Sequence, residues 1–200
     1  MTGTEPEHAV DLELVRLARQ GDADAFGSLV DRNRHAVYRA AYAALGSASE
    51  ADDVAQEAFV AAYQKLSSFR GESSFKTWVL SIAWRKALDR RNRVARWMRL
   101  TVVHDAFTEG SADVLDRVAC TQPSHEERVA AQQMQQALKQ LIAALPRKLR
   151  DALLLAASGD HSYDEIARIL DIPVGTVKWR ISEARRLLKQ KLAAVGYGHE

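Results

Sequence analysis

The chain has 200 residues, 28 Lys and Arg against 26 Asp and Glu, a formal net charge of +2, one cysteine and four prolines. The lone Cys120 leaves no internal disulfide and no paired-thiolate zinc site, which fits a reducing compartment. No apolar run approaches the roughly 18–20 residues that cross a bilayer. The polar, acidic start MTGTEPEHAV lacks an export signal, so the expected location is cytoplasmic, without membrane insertion.

Apolar residues recur at helical spacing and nowhere alternate at the strand period, which predicts an all-α protein. After an N-terminal tail (1–10), a short helix covers Leu12 to Arg19. Asp22 caps a helix carrying Phe26, Leu29, Val30, Val37, Tyr38, Ala41 and Leu45, closed by Gly46. From Ser49 a further helix carries Val54, Ala58, Phe59, Ala62, Tyr63 and Leu66, with the acidic first turn that a helix dipole favours. Polar FRGESS follows. Ser73 or Ser74 then caps a helix with Phe75, Trp78, Val79, Ile82 and Ala83 on one side.

Beyond Leu100 the periodicity stops, so 101–123 reads as a flexible linker between two small helical domains, 11–100 and 124–195, with a tail at 196–200. Ser124 and Glu127 fit a capping box opening a helix with Met134, Leu138, Leu141, Ile142 and Leu145. A helix from about Arg147 to Ala157 comes next.

HSYDEIARILDIPVGTVKWRISEARRLLKQKL then reads as a helix-turn-helix. Ser162 and Glu165 make a capping box, Ile166, Ala167 and Leu170 face inward, Asp171-Ile172-Pro173 turns, and Val177 and Ile181 continue the buried side. The second helix offers Thr176, Lys178, Trp179, Arg180, Ser182, Arg185 and Arg186, the side-chain chemistry that meets phosphates and base edges in a major groove. A solvated basic hairpin would share part of this pattern. Trp179 fits a neighbouring helix as well as it fits DNA.

Between Phe69 and Leu100 stand nine basic residues against two acidic ones, interleaved with Phe69, Phe75, Trp78, Trp84 and Trp97. Basic charge tracks a nucleic-acid backbone and rings stack on unpaired bases, so this is a single-strand surface in outline. Phe75 and Trp78 share a face with Ile82 and belong to the core. Trp84 falls opposite and is the stacking candidate, or else a surface or interdomain Trp. In DDVAQEAF, Asp53, Gln56 and Glu57 form a polar ridge one helical turn long, either solvated or suited to a basic partner.

Taken together, GDADAF…DDVAQEAFVAAYQKLSSFRGESSFKTWVLSIAWRKALDRR resembles region 2, and LPRKLRDALLLAASGDHSYDEIARILDIPVGTVKWRISEARRLLKQKL resembles region 4, of bacterial RNA polymerase sigma factors of the extracytoplasmic-function group. The resemblance implies that Asp53, Gln56 and Glu57 dock on the β′ clamp helices of core RNA polymerase. It implies that Phe69, Arg70, Gly71, Ser73, Ser74, Lys76, Trp84, Arg85, Arg90 and Arg91 engage the minus-10 element and capture a flipped base. Region 4 would read the minus-35 element of promoter DNA and touch the β flap, and an anti-sigma protein is an implied partner. Asp105, Glu109, Asp113 and Asp116 of the linker would help shield the basic surfaces. The chain departs from the usual pattern at Trp84-Arg85, where an ARN-type triplet is common, and at Trp179 and Glu183, where Ser and a basic residue are common.

Two other readings remain beside this one: a helix-turn-helix repressor or activator that is not a polymerase subunit, and a helical interaction adaptor. An enzyme is disfavoured. No HExxH, Gly-rich phosphate loop, GxSxG or Cys/His pair is present, and no cofactor or metal is expected.

Overall fold

The structure, a computed structural model, describes residues 4–101, 125–158 and 161–194, with side chains at 8–96, 134–158 and 161–194. Among the described residues there are eight α-helices, a single 3-10 turn and no strand. They form two compact units. The first holds α1 (Thr4–Arg19), α2 (Ala23–Leu45), α3 (Ala48–Gln64), the 3-10 turn Leu66–Ser68 and α4 (Phe75–Thr101). The second is built on α5 (His125–Ala143), α6 (Arg147–Ala157), most of α7 (Tyr163–Leu170) and α8 (Val174–Ala194). Except for Thr101, the expected linker lies outside the described residues, as do Ser124 and the tail at 196–200.

Local chemistry sets the helix ends. The Asp22 carboxylate accepts from the Ala25 N–H at 3.0 Å, and Gly46 closes α2 in the left-handed conformation (φ 73°) with its N–H on the Tyr42 carbonyl at 2.7 Å. Two ends differ from expectation. Helix α1 starts at Thr4, inside the expected tail, with Pro6 in the first turn where its missing N–H breaks no helical bond. Helix α3 starts at Ala48 rather than Ser49, capped by Ser47, whose Oγ accepts from the Glu50 N–H at 3.5 Å. At α4 the cap is Ser74, whose Oγ accepts from the Thr77 N–H at 3.1 Å.

In the first unit α2 packs against α1, α3 and α4, and α3 against α4. Buried alanines (Ala36, Ala40, Ala41, Ala44, Ala51, Ala55, Ala58, Ala62) let these axes come close, while Leu29, Val37, Val54, Phe75 and Leu80 fill the space between them. Each fully buried large apolar side chain contributes about 1.5–3 kcal/mol. Val15 and Ala18 dock α1, and the buried Asp11 carboxylate accepts from Arg32 Nε at 2.9 Å.

Trp84 corrects the sequence reading. It is 1% exposed, as deep as Phe75. The buried residues of α4 run from Phe75 through Val79, Ala83, Ala87 and Leu80 to Trp84 and Thr77, an arc of about 200° at 100° per residue. A helix pressed against both α2 and α3 buries two faces, so the position opposite Phe75 is interior as well.

In the second unit Leu145, Leu149, Leu153, Ala184 and Leu188 form one cluster, with Leu141, Ile142 and Leu187 against it, so that α5 and α6 both lean on α8. The capping box of α7 forms as expected. The Ser162 N–H and Oγ donate to the Glu165 carboxylate at 2.8 and 3.0 Å, and the Glu165 N–H donates to Ser162 Oγ at 3.2 Å. Helix α7 closes with the Ile172 N–H on the Ala167 carbonyl (3.0 Å) and the Asp171 N–H on that of Arg168 (3.3 Å), with Asp171 left-handed at φ 55°. Ile166, Ala167 and Ile169 are buried on its inner side. No helix among the described residues is long and apolar enough to cross a membrane.

Candidate nucleic-acid and polymerase interfaces

Helix α8 separates its faces cleanly. Val177, Ile181, Ala184 and Leu188 make the buried stripe, and 175, 179, 182 and 186 lie diametrically opposite at helical spacing. Trp179 is 62% exposed and is not packed into the core of its own unit. Lys178, Ser182, Arg185 and Arg186 are exposed beside it, with Thr176 and Arg180 half-buried on the flanks. Glu183 is not a lone acid on this surface. Its two oxygens accept from Arg186 Nε and Nη2 at 2.7 and 2.6 Å, and these bonds hold its carboxyl below the usual glutamate range while raising the Arg186 guanidinium. The pair leaves the net positive charge of the solvent-accessible surface of α8 to Lys178, Arg180, Arg185, Lys189 and Lys191.

In the first unit the FRGESS segment is a short loop with both feet fixed in an aromatic cluster. Phe69 is 4% exposed, and its ring meets those of Phe75 (6.0 Å) and Trp78 (5.1 Å), while Phe26 bridges Phe75 (6.4 Å) and Tyr63 (4.9 Å). Phe69, expected among the DNA-facing residues, is therefore a footing of the loop, just as Trp84 belongs to the core. Between the feet, Gly71 takes φ 74°, a conformation that disfavours a side chain, and Arg70 is exposed with Glu72 at 4.0 Å. Ser73, Ser74 and Lys76 are half-buried at the start of α4, and Arg85 projects outward further along it. The side chain of Trp97 lies outside the described residues.

The loop is also held from α1, which the sequence did not announce. Arg19 donates Nε and Nη2 to the Leu66 carbonyl at 3.1 and 3.0 Å, and Nη2 to the Phe69 carbonyl. At the end of a helix an arginine is expected for dipole reasons alone, so nothing in the spacing distinguishes this one.

Asp53, Gln56 and Glu57 are exposed along α3, as a ridge requires. The ridge abuts the basic flank of α4. Arg90 donates to Glu57 at 2.9 Å and to Asp53 at 3.3 Å, and Lys86 donates to Glu57 at 3.3 Å. Arg91 reaches the Ala44 carbonyl at 3.4 Å. Val60, one turn beyond Gln56 and Glu57, is 58% exposed and adds an apolar position that charge reading passed over.

Residues 29–97 match the family model of sigma-70 region 2, and residues 135–188 that of sigma-70 region 4. The chain is 34% identical over 180 residues to the ECF RNA polymerase sigma factor SigW of Bacillus subtilis, covering 89% of this chain and 94% of that one. It is 35% identical over 187 residues to the ECF RNA polymerase sigma-E factor of Escherichia coli, covering 93% and 96%. Among solved structures it is similar to CnrH in complex with the cytosolic domain of CnrY (TM-score 0.63, 28% identity, 92% of this chain and 98% of that one). It shares its fold with the sigma factor RpoE of Bartonella quintana, solved with the anti-sigma factor NepR (TM-score 0.59, 22% identity, 84% and 96%). An outward helix-turn-helix face in one unit, an anchored loop and an acidic ridge in the other, and family matches over both units place this chain among the ECF sigma factors of RNA polymerase.

Proposed function

We propose that this sigma factor divides its work between the two units and has no catalytic activity of its own. The exposed ridge of Asp53, Gln56 and Glu57 docks on the β′ clamp helices of core polymerase. The loop around Arg70, Gly71, Ser73 and Ser74, with Lys76, Arg85, Arg90 and Arg91 on α4, engages the opened minus-10 element, the cations tracking phosphates and the loop taking an unstacked base. Phe69 and Trp84 serve this surface from beneath. Helix α8 enters the major groove of the minus-35 element, with Trp179, Lys178, Arg180, Ser182 and Arg185 presented to bases and phosphates. Thr176 and Arg186 flank that contact, and the same unit touches the β flap.

The observation that carries this reading is the split of α8 into a buried stripe and an exposed surface that bears Trp179 opposite the stripe and Lys178 and Arg185 on its flank. An anti-sigma protein is the remaining partner, in keeping with the two similar structures, each solved with a bound protein. The cytoplasm, where polymerase and promoters are, is the place of action.

The test is reconstitution. The purified protein, added to core polymerase with fragmented genomic DNA, should yield specific transcripts. A protein that yields none, and that neither binds core nor competes with another sigma factor, would sink the proposal. Arg185→Glu should weaken use of such a promoter and leave core binding intact. Loss of core binding instead would give α8 a polymerase contact.

A further inference from the structure

Helix α1 bonds to the loop segment at one place and approaches it at another. At its end, the Arg19 guanidinium bridges the carbonyls of Leu66 and Phe69, residues 47 and 50 positions away in the chain. Near its middle, Leu12 Cδ2 stands 3.5 Å from where a side chain on Gly71 would begin. Helix α1 is itself tied down by buried Val15 and Ala18 and by the Asp11–Arg32 pair at 2.9 Å. The loop thus rests on an immobilised helix as well as on its aromatic feet.

The chemistry of the bridge is specific to arginine. A planar guanidinium offers several donors in a fixed fork and can hold two carbonyls in one geometry, whereas an ammonium is a point charge that satisfies them one at a time. The Leu66 carbonyl already accepts from the Phe69 N–H at 3.2 Å, closing the 3-10 turn, so the fork fixes that turn and the direction in which the chain leaves it. A loop that takes an unpaired base gains most when its shape is set beforehand, because ordering at the moment of binding subtracts from affinity.

We infer that Arg19 is a positioning residue for promoter opening: through the Leu66 and Phe69 carbonyls it holds the loop 69–74 in the shape that accepts an unpaired base of the minus-10 element. This rests on the reading of that loop as the base-capturing element, and the controls below separate the two.

Holoenzyme is assembled from core and the full chain carrying Arg19→Ala, Arg19→Lys or Arg19→Gln, and in parallel Arg70→Ala with Lys76→Ala as the loop control. A fluorescent base analogue in the non-template strand reports unstacking. The readout is the ratio of opening on the native promoter to opening on one with the captured base replaced. Arg19→Ala should lower that ratio by about tenfold or more, with core affinity within about twofold of the wild type, and Arg19→Lys should fall between. A ratio unchanged in Arg19→Ala while the loop control loses it would overturn the role of Arg19 alone. A ratio unchanged in both would overturn the base-capture reading and this inference with it. A parallel fall in core affinity and thermal stability, with the ratio preserved, would make Arg19 merely structural. Should Arg19→Ala fail to fold, Arg19→Lys and Arg19→Gln decide, and a wild-type ratio in both refutes the inference.

Discussion

The Arg90 guanidinium donates to the Glu57 carboxylate at 2.9 Å, joining α4 to α3 where the basic surface meets the acidic ridge. Lys86 and Asp53 complete the cluster at 3.3 Å each. Each carboxylate that pairs with α4 is also one proposed to meet polymerase, so the two surfaces share charges rather than standing apart.

A double-mutant cycle of Glu57→Ala and Arg90→Ala should give a coupling of about 0.5–1 kcal/mol in urea unfolding, the size of a partly exposed ion pair. The coupling should shrink as salt is raised toward molar concentration, since screening acts on the solvent-facing side of the cluster. A cycle of zero at low salt would mean that the pair contributes only geometry.

Trp84→Ala should destabilise the first unit by about 3–5 kcal/mol, the range for emptying a large aromatic site. Trp84→Phe should cost under about 1.5 kcal/mol, because the ring volume is largely kept and Nε1, buried without a protein acceptor, is removed. Denaturant titration of both variants checks this. Unchanged stability in Trp84→Ala would return the residue to the surface.

Asp171 takes the left-handed conformation at the close of α7, where a residue with a side chain is strained by about 1–2 kcal/mol. Asp171→Gly relieves that strain and adds unfolded-state entropy, so stability should stay within about 1 kcal/mol of the wild type. Asp171→Val should lose more than the Gly variant does, and thermal melts of the two, ranked against the wild type, read the difference.

The Glu183 carboxyl should titrate below the ordinary glutamate midpoint, since Arg186 hydrogen-bonds the ionised form. A pKa depressed in the folded state stabilises above the unfolded value and loses that contribution as pH falls through the folded one. The wild type should therefore exceed Glu183→Gln in melting temperature at neutral pH, with the gap closing in acid. NMR titration of the carboxyl carbon gives the midpoint directly.

Much of this is legible in the amino-acid sequence alone. Asp22, Gly46, Ser162 and Glu165 act where local hydrogen bonding decides the outcome, and local chemistry is written in neighbouring residues. Trp84 is not legible in this way, because a single apolar stripe does not describe a helix that lies against two others, and the number of neighbours is a tertiary property. The same holds for the pairing of Arg90 with Glu57, 33 residues apart, and for Arg19, whose partners are backbone carbonyls that every residue carries alike.

The outward ridge of α8 has an evolutionary consequence. A side chain added at Gly175 would meet nothing within 4 Å, and Trp179 and Ser182 are exposed on the same line, away from the stripe of Val177, Ile181, Ala184 and Leu188. Substitutions along that line leave the folding of the unit almost untouched, as exposed changes generally do. If this face reads promoter DNA as proposed, DNA preference and fold are separately mutable, and a duplicated copy of this chain could drift to a new set of promoters without first losing its structure.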